Sequence, residues 1–146
     1  MANHTVPSRT NRSRQRETIL QVLRSTKTHP TADWIYRRAK EALPNLSLGT
    51  VYRNLTKLAG AGEIKKLDIG DGFDHFDADV QPHYHMVCTH CGRVQDLDLP
   101  YHPELNSEAE KAARGSISHH ALYFYGTCAS CEKTAQDTAD RLPRIK

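Results

Sequence analysis

The chain has 146 residues, 38% of them hydrophobic and 25% charged, with a formal net charge of +3; that balance excludes a disordered polyelectrolyte. No apolar run approaches membrane-spanning length, and the start, MANHTVPSRTNRSRQR, lacks the apolar core of a secretion signal, so a cytoplasmic protein with reduced thiols is expected. Charge is unevenly spread: residues 1–66 hold 13 Lys+Arg against 4 Asp+Glu, whereas residues 67–146 hold 7 against 13. A basic half followed by an acidic half suggests that the first meets a polyanion and the second does other work.

The first element is a predicted helix around RQRETILQVLRST, where Ile19, Leu20 and Leu23 share a face. A second begins after Pro30 with Thr31 as N-cap and Asp33 in its first turn. Its apolar stripe is Ala32, Ile35, Tyr36, Ala39 and Leu43, and Pro44 ends it. The third, SLGTVYRNLTKLAGAG, starts at a Ser47 cap and stops at Gly62 as C′ residue. Leu48, Val51, Leu55 and Leu58 are expected to face the core, leaving Gly49, Tyr52, Arg53 and Thr56 outward. Next, EIKKLDIGDGFDHFD reads as two short strands joined at Asp71-Gly72 by a tight type I′ turn. Three helices and a hairpin describe a winged helix-turn-helix, whose third helix enters the major groove while Arg and Lys neutralise phosphates. A small helical domain with an exposed polar helix is the plainer alternative, and the charge asymmetry favours DNA.

The stretch PHYHMVCTHCGRVQD concentrates potential metal ligands. On a strand over residues 83–88, His83 and His85 project from one face and Cys88 from the other, so one ion cannot easily collect all three. Cys88 and Cys91 form one knuckle and Cys128 and Cys131 a second, a set suited to a closed tetrahedral zinc site. His90 is expected to be an exposed knuckle residue. His83 and His85, with Asp77 upstream and Asp96 downstream, make a harder site compatible with Fe(II), Mn(II) or Zn(II), or simply a pair of surface histidines. His29, in KTHPTAD, is locally no more than a loop histidine. Farther on, Pro103 and ELNSEAEKAARG suggest a helix. ALYFYG, apolar on both faces, suggests a strand buried in a sheet or across a subunit contact. The polar tail after Lys133 suggests a frayed helix.

HPTADWIY, SLGTVYRNL, HYHMVCTHCGRVQD and LYFYGTCASC, in this order and spacing, resemble the Fur family of metal-dependent transcriptional repressors over about residues 12 to 133. Within it the chain looks most like the PerR, peroxide-sensing branch. The resemblance implies an α+β architecture: a winged-helix DNA-binding domain and hinge over residues 1–79, then an α/β dimerisation and metal-binding domain over residues 80–146. It implies a homodimer on a near-palindromic DNA operator. It assigns His29, Asp77, His83, His85 and Asp96 to a regulatory Fe(2+) or Mn(2+), and Cys88, Cys91, Cys128 and Cys131 to structural Zn(2+). It points to Tyr52 and Arg53, on the outward face with Thr56, as DNA contacts. NRSRQR departs from relatives that often carry a Thr-Pro segment there, so Arg12 or Arg14 would stand in for the minor-groove arm. Iron-level sensors usually have glutamates where this chain has Asp77 and Asp96, and an aspartate in the latter place marks peroxide sensors. Pro82 and Tyr84 occupy places where many iron-level regulators have ligands of an extra metal site, of which His120 would be a remnant.

The expected function is therefore repression relieved when an oxidant generated at iron modifies His29 or His83. That is stoichiometric sensing rather than enzymatic turnover. Iron-, manganese- or zinc-level regulation within the family is one alternative. A small non-haem iron metalloenzyme, built on two histidines and a carboxylate, is another, which would leave the basic half unexplained. A purely architectural, zinc-stapled DNA binder is a third.

Overall fold

The computed structural model describes residues 11–141. These divide into two compact units between Gln81 and Pro82. Among the described residues no helix is long and apolar enough to cross a membrane.

The first unit contains α1 (Asn11–Arg24), α2 (Ala32–Ala42), α3 (Leu48–Gly60), β1 (Lys65–Asp68) and β2 (Asp74–Asp77). The three helices pack on one another around Ile19, Leu23, Ile35, Val51, Leu55 and Leu58. Burying each such side chain is worth about 1.5–3 kcal/mol before chain entropy is counted. The apolar spacing dictates this packing, and the caps fix the ends. Thr31 Oγ1 accepts the N–H of Trp34 to open α2, and Ser47 Oγ accepts that of Thr50 to open α3. At the end of α3, Gly62 takes φ +75°. Its N–H reaches the Ala59 carbonyl and the Glu63 N–H reaches that of Leu58, the double closure of a Schellman cap. Arg16 of α1 pairs with Glu63 just beyond that cap.

Two expectations in this unit are overturned. Leu48 does not face the core: it is 37% exposed, because the buried seam of α3 begins one turn later at Val51. The hairpin turn is not type I′. Asp68 pairs with Asp74, so five residues from Ile69 to Phe73 form the connection, and Asp71 lacks the positive φ that such a turn demands. Ile69 is buried, which draws the loop start inward, and aspartate side chains brace the rest. Asp68 Oδ1 accepts the Gly70 N–H and Asp71 Oδ1 that of Phe73, while Gly70 and Gly72 supply the positive φ.

The second unit holds β3 (Tyr84–Cys88), β4 (Val94–Leu97), α4 (Glu104–Ala113), β5 (Tyr123–Gly126) and α5 (Ala129–Arg141). Its sheet has the order β4-β3-β5, with β4 antiparallel and β5 parallel to the central strand. Tyr84, Val87, Cys88, Val94 and Cys128 are its buried hydrophobic residues, and His85 is buried beside them. Central placement explains why β3 is buried nearly throughout. The ALYFYG segment is not a buried core strand: β5 is an edge, and Phe124 and Tyr125 are 44% and 56% exposed. The tail that looked frayed continues as α5 to Arg141. α4 buries no residue, and a side-chain network ties it down. His120 Nδ1 donates to Asn106 Oδ1 of α4 at 2.7 Å, and the Ile117 N–H donates to Glu110 Oε1 at 3.0 Å.

Candidate metal centres and nucleic-acid surface

The four cysteines converge at one end of the sheet. Cys88 closes β3, Cys91 follows in a turn that Gly92 completes at φ +77°, and Cys128 and Cys131 flank the start of α5. The backbone N–H groups of Cys91 and Cys128 both point at Cys88 Sγ, at 3.4 and 3.3 Å. These donors, that of Cys128 foremost, pull the Cys88 thiol down to about 5. The Cys131 thiol is pushed up to about 12, first by its hydrogen bond to Cys128 and then by burial.

All four Sγ atoms lie within 4.8 Å of one another, with Cys91 and Cys128 at 3.8 Å. A disulfide would need about 2.05 Å. Tetrahedral bonds of about 2.3 Å place sulfurs about 3.8 Å apart, so the spacing and the all-thiol donor set suit zinc. His90 is exposed and stands outside the quartet.

The harder donors form two groups, one in each unit. In the first unit His29 lies between α1 and α2, as a loop histidine should, yet it is only 3% exposed and has φ +51°. Its Nδ1 lies 3.5 Å from Oδ2 of Asp77, the last residue of β2. Asp77 Oδ1 accepts the N–H of Asp79, which fixes the carboxylate.

In the second unit His85 faces Asp96 directly across the β3–β4 ladder, and His83 immediately precedes β3. Both Nε2 atoms reach the same oxygen, Asp96 Oδ1, at 3.1 and 3.3 Å. Tyr123, opposite His85 in the parallel register, stacks on its ring at 5.8 Å and 23°. Donor atoms on one ion with bonds of about 2.0–2.2 Å sit roughly 3.0–3.5 Å apart. Each group therefore has the spacing of part of a nitrogen and oxygen coordination sphere.

Two participants escaped the sequence, and a third has another role than expected. His75 donates through Nδ1 to the carbonyl of His29; its position two residues before Asp77 on a strand was the available signal. Tyr123 supports His85, which only the strand register reveals. His120 accepts from the Tyr84 hydroxyl and donates to Asn106, so it is engaged in a protein network where a remnant ligand was expected.

On α3 the outward residues Gly49, Tyr52, Arg53 and Thr56 are all exposed, and Arg53 Nη2 donates to Thr50 Oγ1 at 3.0 Å. Arg12 and Arg14 are exposed on α1. The helix thus presents an aromatic ring, a guanidinium and a hydroxyl free of core duties, the groups that hydrogen-bond base edges and phosphates.

The model of the Ferric uptake regulator family matches residues 8–125. The Peroxide-responsive repressor PerR of Staphylococcus aureus (strain USA300) is 37% identical over 118 residues, 81% of this chain and 80% of that one. The fold is similar to that of the Campylobacter jejuni peroxide stress regulator, with 29% identity and a TM-score of 0.69 over 82% of this chain and 90% of that one. It is also similar to the Ferric uptake regulator from Pseudomonas aeruginosa with manganese, with 30% identity and a TM-score of 0.59 over 79% and 87%.

Proposed function

The chain belongs to the ferric uptake regulator family, and from that premise we propose that it is a metal-dependent transcriptional repressor relieved by hydrogen peroxide. One observation carries the proposal: the hard donors come as two incomplete sets, His29 with Asp77 in the first unit and His83, His85 with Asp96 in the second. Neither set alone satisfies an ion that prefers six ligands. Together they offer three imidazoles and two carboxylates, a set for Fe(2+) or Mn(2+) with one position left for a small molecule. Structural Zn(2+) belongs to Cys88, Cys91, Cys128 and Cys131 and contributes on the order of 10 kcal/mol to the folding of the second unit.

Sharing one ion between the units links metal binding to DNA binding, because the arrangement that holds the ion also sets the spacing of the recognition helices in a homodimer. Tyr52, Arg53 and Thr56 read the operator, and Arg12 or Arg14 stands in for the minor-groove arm. A tenfold gain in DNA affinity needs only about 1.4 kcal/mol of coupling, so losing one ligand suffices to release the operator. The protein acts in the cytoplasm, where thiolates persist and DNA is at hand.

If bound, Fe(2+) would lend one electron to cleave hydrogen peroxide beside the imidazoles and recover one from the attacked ring, so that the histidine is the net two-electron reductant; Mn(2+) would not. The chain's part is to hold His29 and His83 within reach. One peroxide oxygen ends on the ring carbon of a ligating histidine and the other leaves as water. The oxidised ring donates poorly, so the unit that carries it loses its hold on the ion and repression ends.

The test is peptide mass spectrometry of the Fe(2+) protein after one equivalent of peroxide, alongside a gel shift. We expect a peptide containing His29 or His83 that is one oxygen heavier, together with lost DNA binding, and no change in the Mn(2+) form. An unmodified histidine set overturns the peroxide mechanism. DNA binding that ignores both Mn(2+) and chelator overturns the metal-dependent repressor as a whole.

A further inference from the structure

β2 grips the backbone and the ring of His29 from one strand. At one end of this grip, His75 Nδ1 lies 2.8 Å from the His29 carbonyl oxygen, which can only accept, so that ring nitrogen donates. At the other end, Asp77 meets the His29 ring. His75 and Asp77 are two residues apart on the strand and so share a face. The neighbouring backbone is fastened as well: the Phe76 N–H donates to the Pro30 carbonyl at 3.0 Å, and Thr31 forms a bridge with His75.

His29 needs such restraint. It is a non-glycine residue at φ +51°, and it precedes Pro30, whose ring further limits its conformations. Backbone of this kind costs on the order of 1–3 kcal/mol and persists only where its surroundings over-determine it. His75 is itself 9% exposed, and its second nitrogen, Nε2, lies 2.6 Å from Asp71 Oδ2 in the hairpin loop. The ring is therefore fixed at both nitrogens, and the chain of contacts runs from Asp71 through His75 to the peptide of His29.

We infer that His75, oriented by Asp71, is a positioning residue that holds His29 in its left-handed conformation and so pre-aims the His29 imidazole at the ion. The inference rests on the proposed role of His29 as a ligand. Groups that orient metal ligands without touching the metal typically alter affinity by 10–100-fold when removed. Here the orienting contact is to the ligand's backbone rather than to its ring, which leaves both ring nitrogens of His29 outside the His75 contact.

The experiment uses the full chain loaded with one equivalent of zinc. Mn(2+) affinity is measured by calorimetric titration, and the backbone chemical shifts of His29 are recorded before Mn(2+) is added. His75→Leu is expected to weaken Mn(2+) binding about tenfold or more and to move the His29 shifts out of the left-handed range. His75→Gln, whose amide can donate to the same carbonyl, is expected to regain most of the affinity. Asp71→Asn, at a more exposed position, is expected to shift both readouts in the same direction by less than His75→Leu does, and it decides the matter if His75→Leu does not fold. Equal losses in the Leu and Gln variants would assign His75 to packing and overturn the inference. So would unchanged Mn(2+) affinity in His75→Leu when His29→Ala abolishes binding. If His29→Ala itself leaves Mn(2+) affinity unchanged, the ligand role fails first and the inference falls with it.

Discussion

The Tyr84 hydroxyl accepts the N–H of His102 at 3.0 Å and donates to Nε2 of His120 at 2.8 Å. His120 passes the chain on to Asn106 of α4, and Tyr101 stacks on its ring at 4.7 Å and 2°. The Tyr84 hydroxyl, the His102 N–H, both ring nitrogens of His120 and Asn106 Oδ1 are all engaged on this path. Tyr84→Phe leaves the His102 N–H and His120 Nε2 unsatisfied around one of the largest fully buried side chains. We expect a loss of about 1–3 kcal/mol in urea unfolding of the zinc-loaded protein, with Mn(2+) affinity unaffected.

Leu55 and Leu48 lie on the same helix with opposite fates, the first fully buried and the second 37% exposed. Leu55→Ala is expected to destabilise the first unit by about 2–5 kcal/mol. Leu48→Ala should stay within about 0.5 kcal/mol. Thermal unfolding of both variants checks the placement of the buried seam directly.

Asp71 provides a pH signature. Burial pushes its carboxyl up, but the hydrogen bond from His75, helped by the Phe73 N–H, outweighs that and leaves it below its ordinary 3.8. A carboxyl depressed in the folded state stabilises above its unfolded value and loses that contribution as pH falls through the folded one. Asp71→Asn should therefore flatten the acid limb of the unfolding curve below about pH 4 and leave a constant offset at neutral pH. Acid titration followed by circular dichroism measures this; an acid limb identical to the parent's counts against the Asp71–His75 contact.

Arg53 and Tyr52 test the DNA surface. If Arg53 meets a phosphate, Arg53→Ala weakens all DNA sequences alike and lowers the salt slope of binding by about one. Tyr52→Ala, removing a base-facing ring, should instead relax sequence preference. Fluorescence anisotropy on operator and scrambled duplexes across a salt series separates the two.

Asp96→Glu addresses the branch. A glutamate keeps the charge and reaches farther, so metal-dependent DNA binding should survive while peroxide sensitivity falls. Unchanged sensitivity, read by gel shift after peroxide, would remove Asp96 as the determinant.

Much of this architecture is legible because the signals are local. Ser47, Thr31 and Gly62 announce helix ends within a few residues, and the two CxxC pairs carry their chemistry in their own spacing. The hairpin loop was not legible, since Asp71-Gly72 is a purely local signal, whereas the strand register that closes the loop at Asp68 and Asp74 belongs to the folded unit. His29 was equally opaque: its conformation depends on β2, more than forty positions later, and only the family resemblance singled it out. The exposure of β5 followed from strand order, which hydropathy does not encode.

His85 and Cys88 ride on one five-residue strand, three positions apart. Under the proposed function, anything that loosens the thiol corner slackens the rail beneath the imidazole, so the zinc assigned to the cysteines becomes a precondition for the site that answers peroxide. On that reading, zinc scarcity would reach the cell as deafness to oxidants.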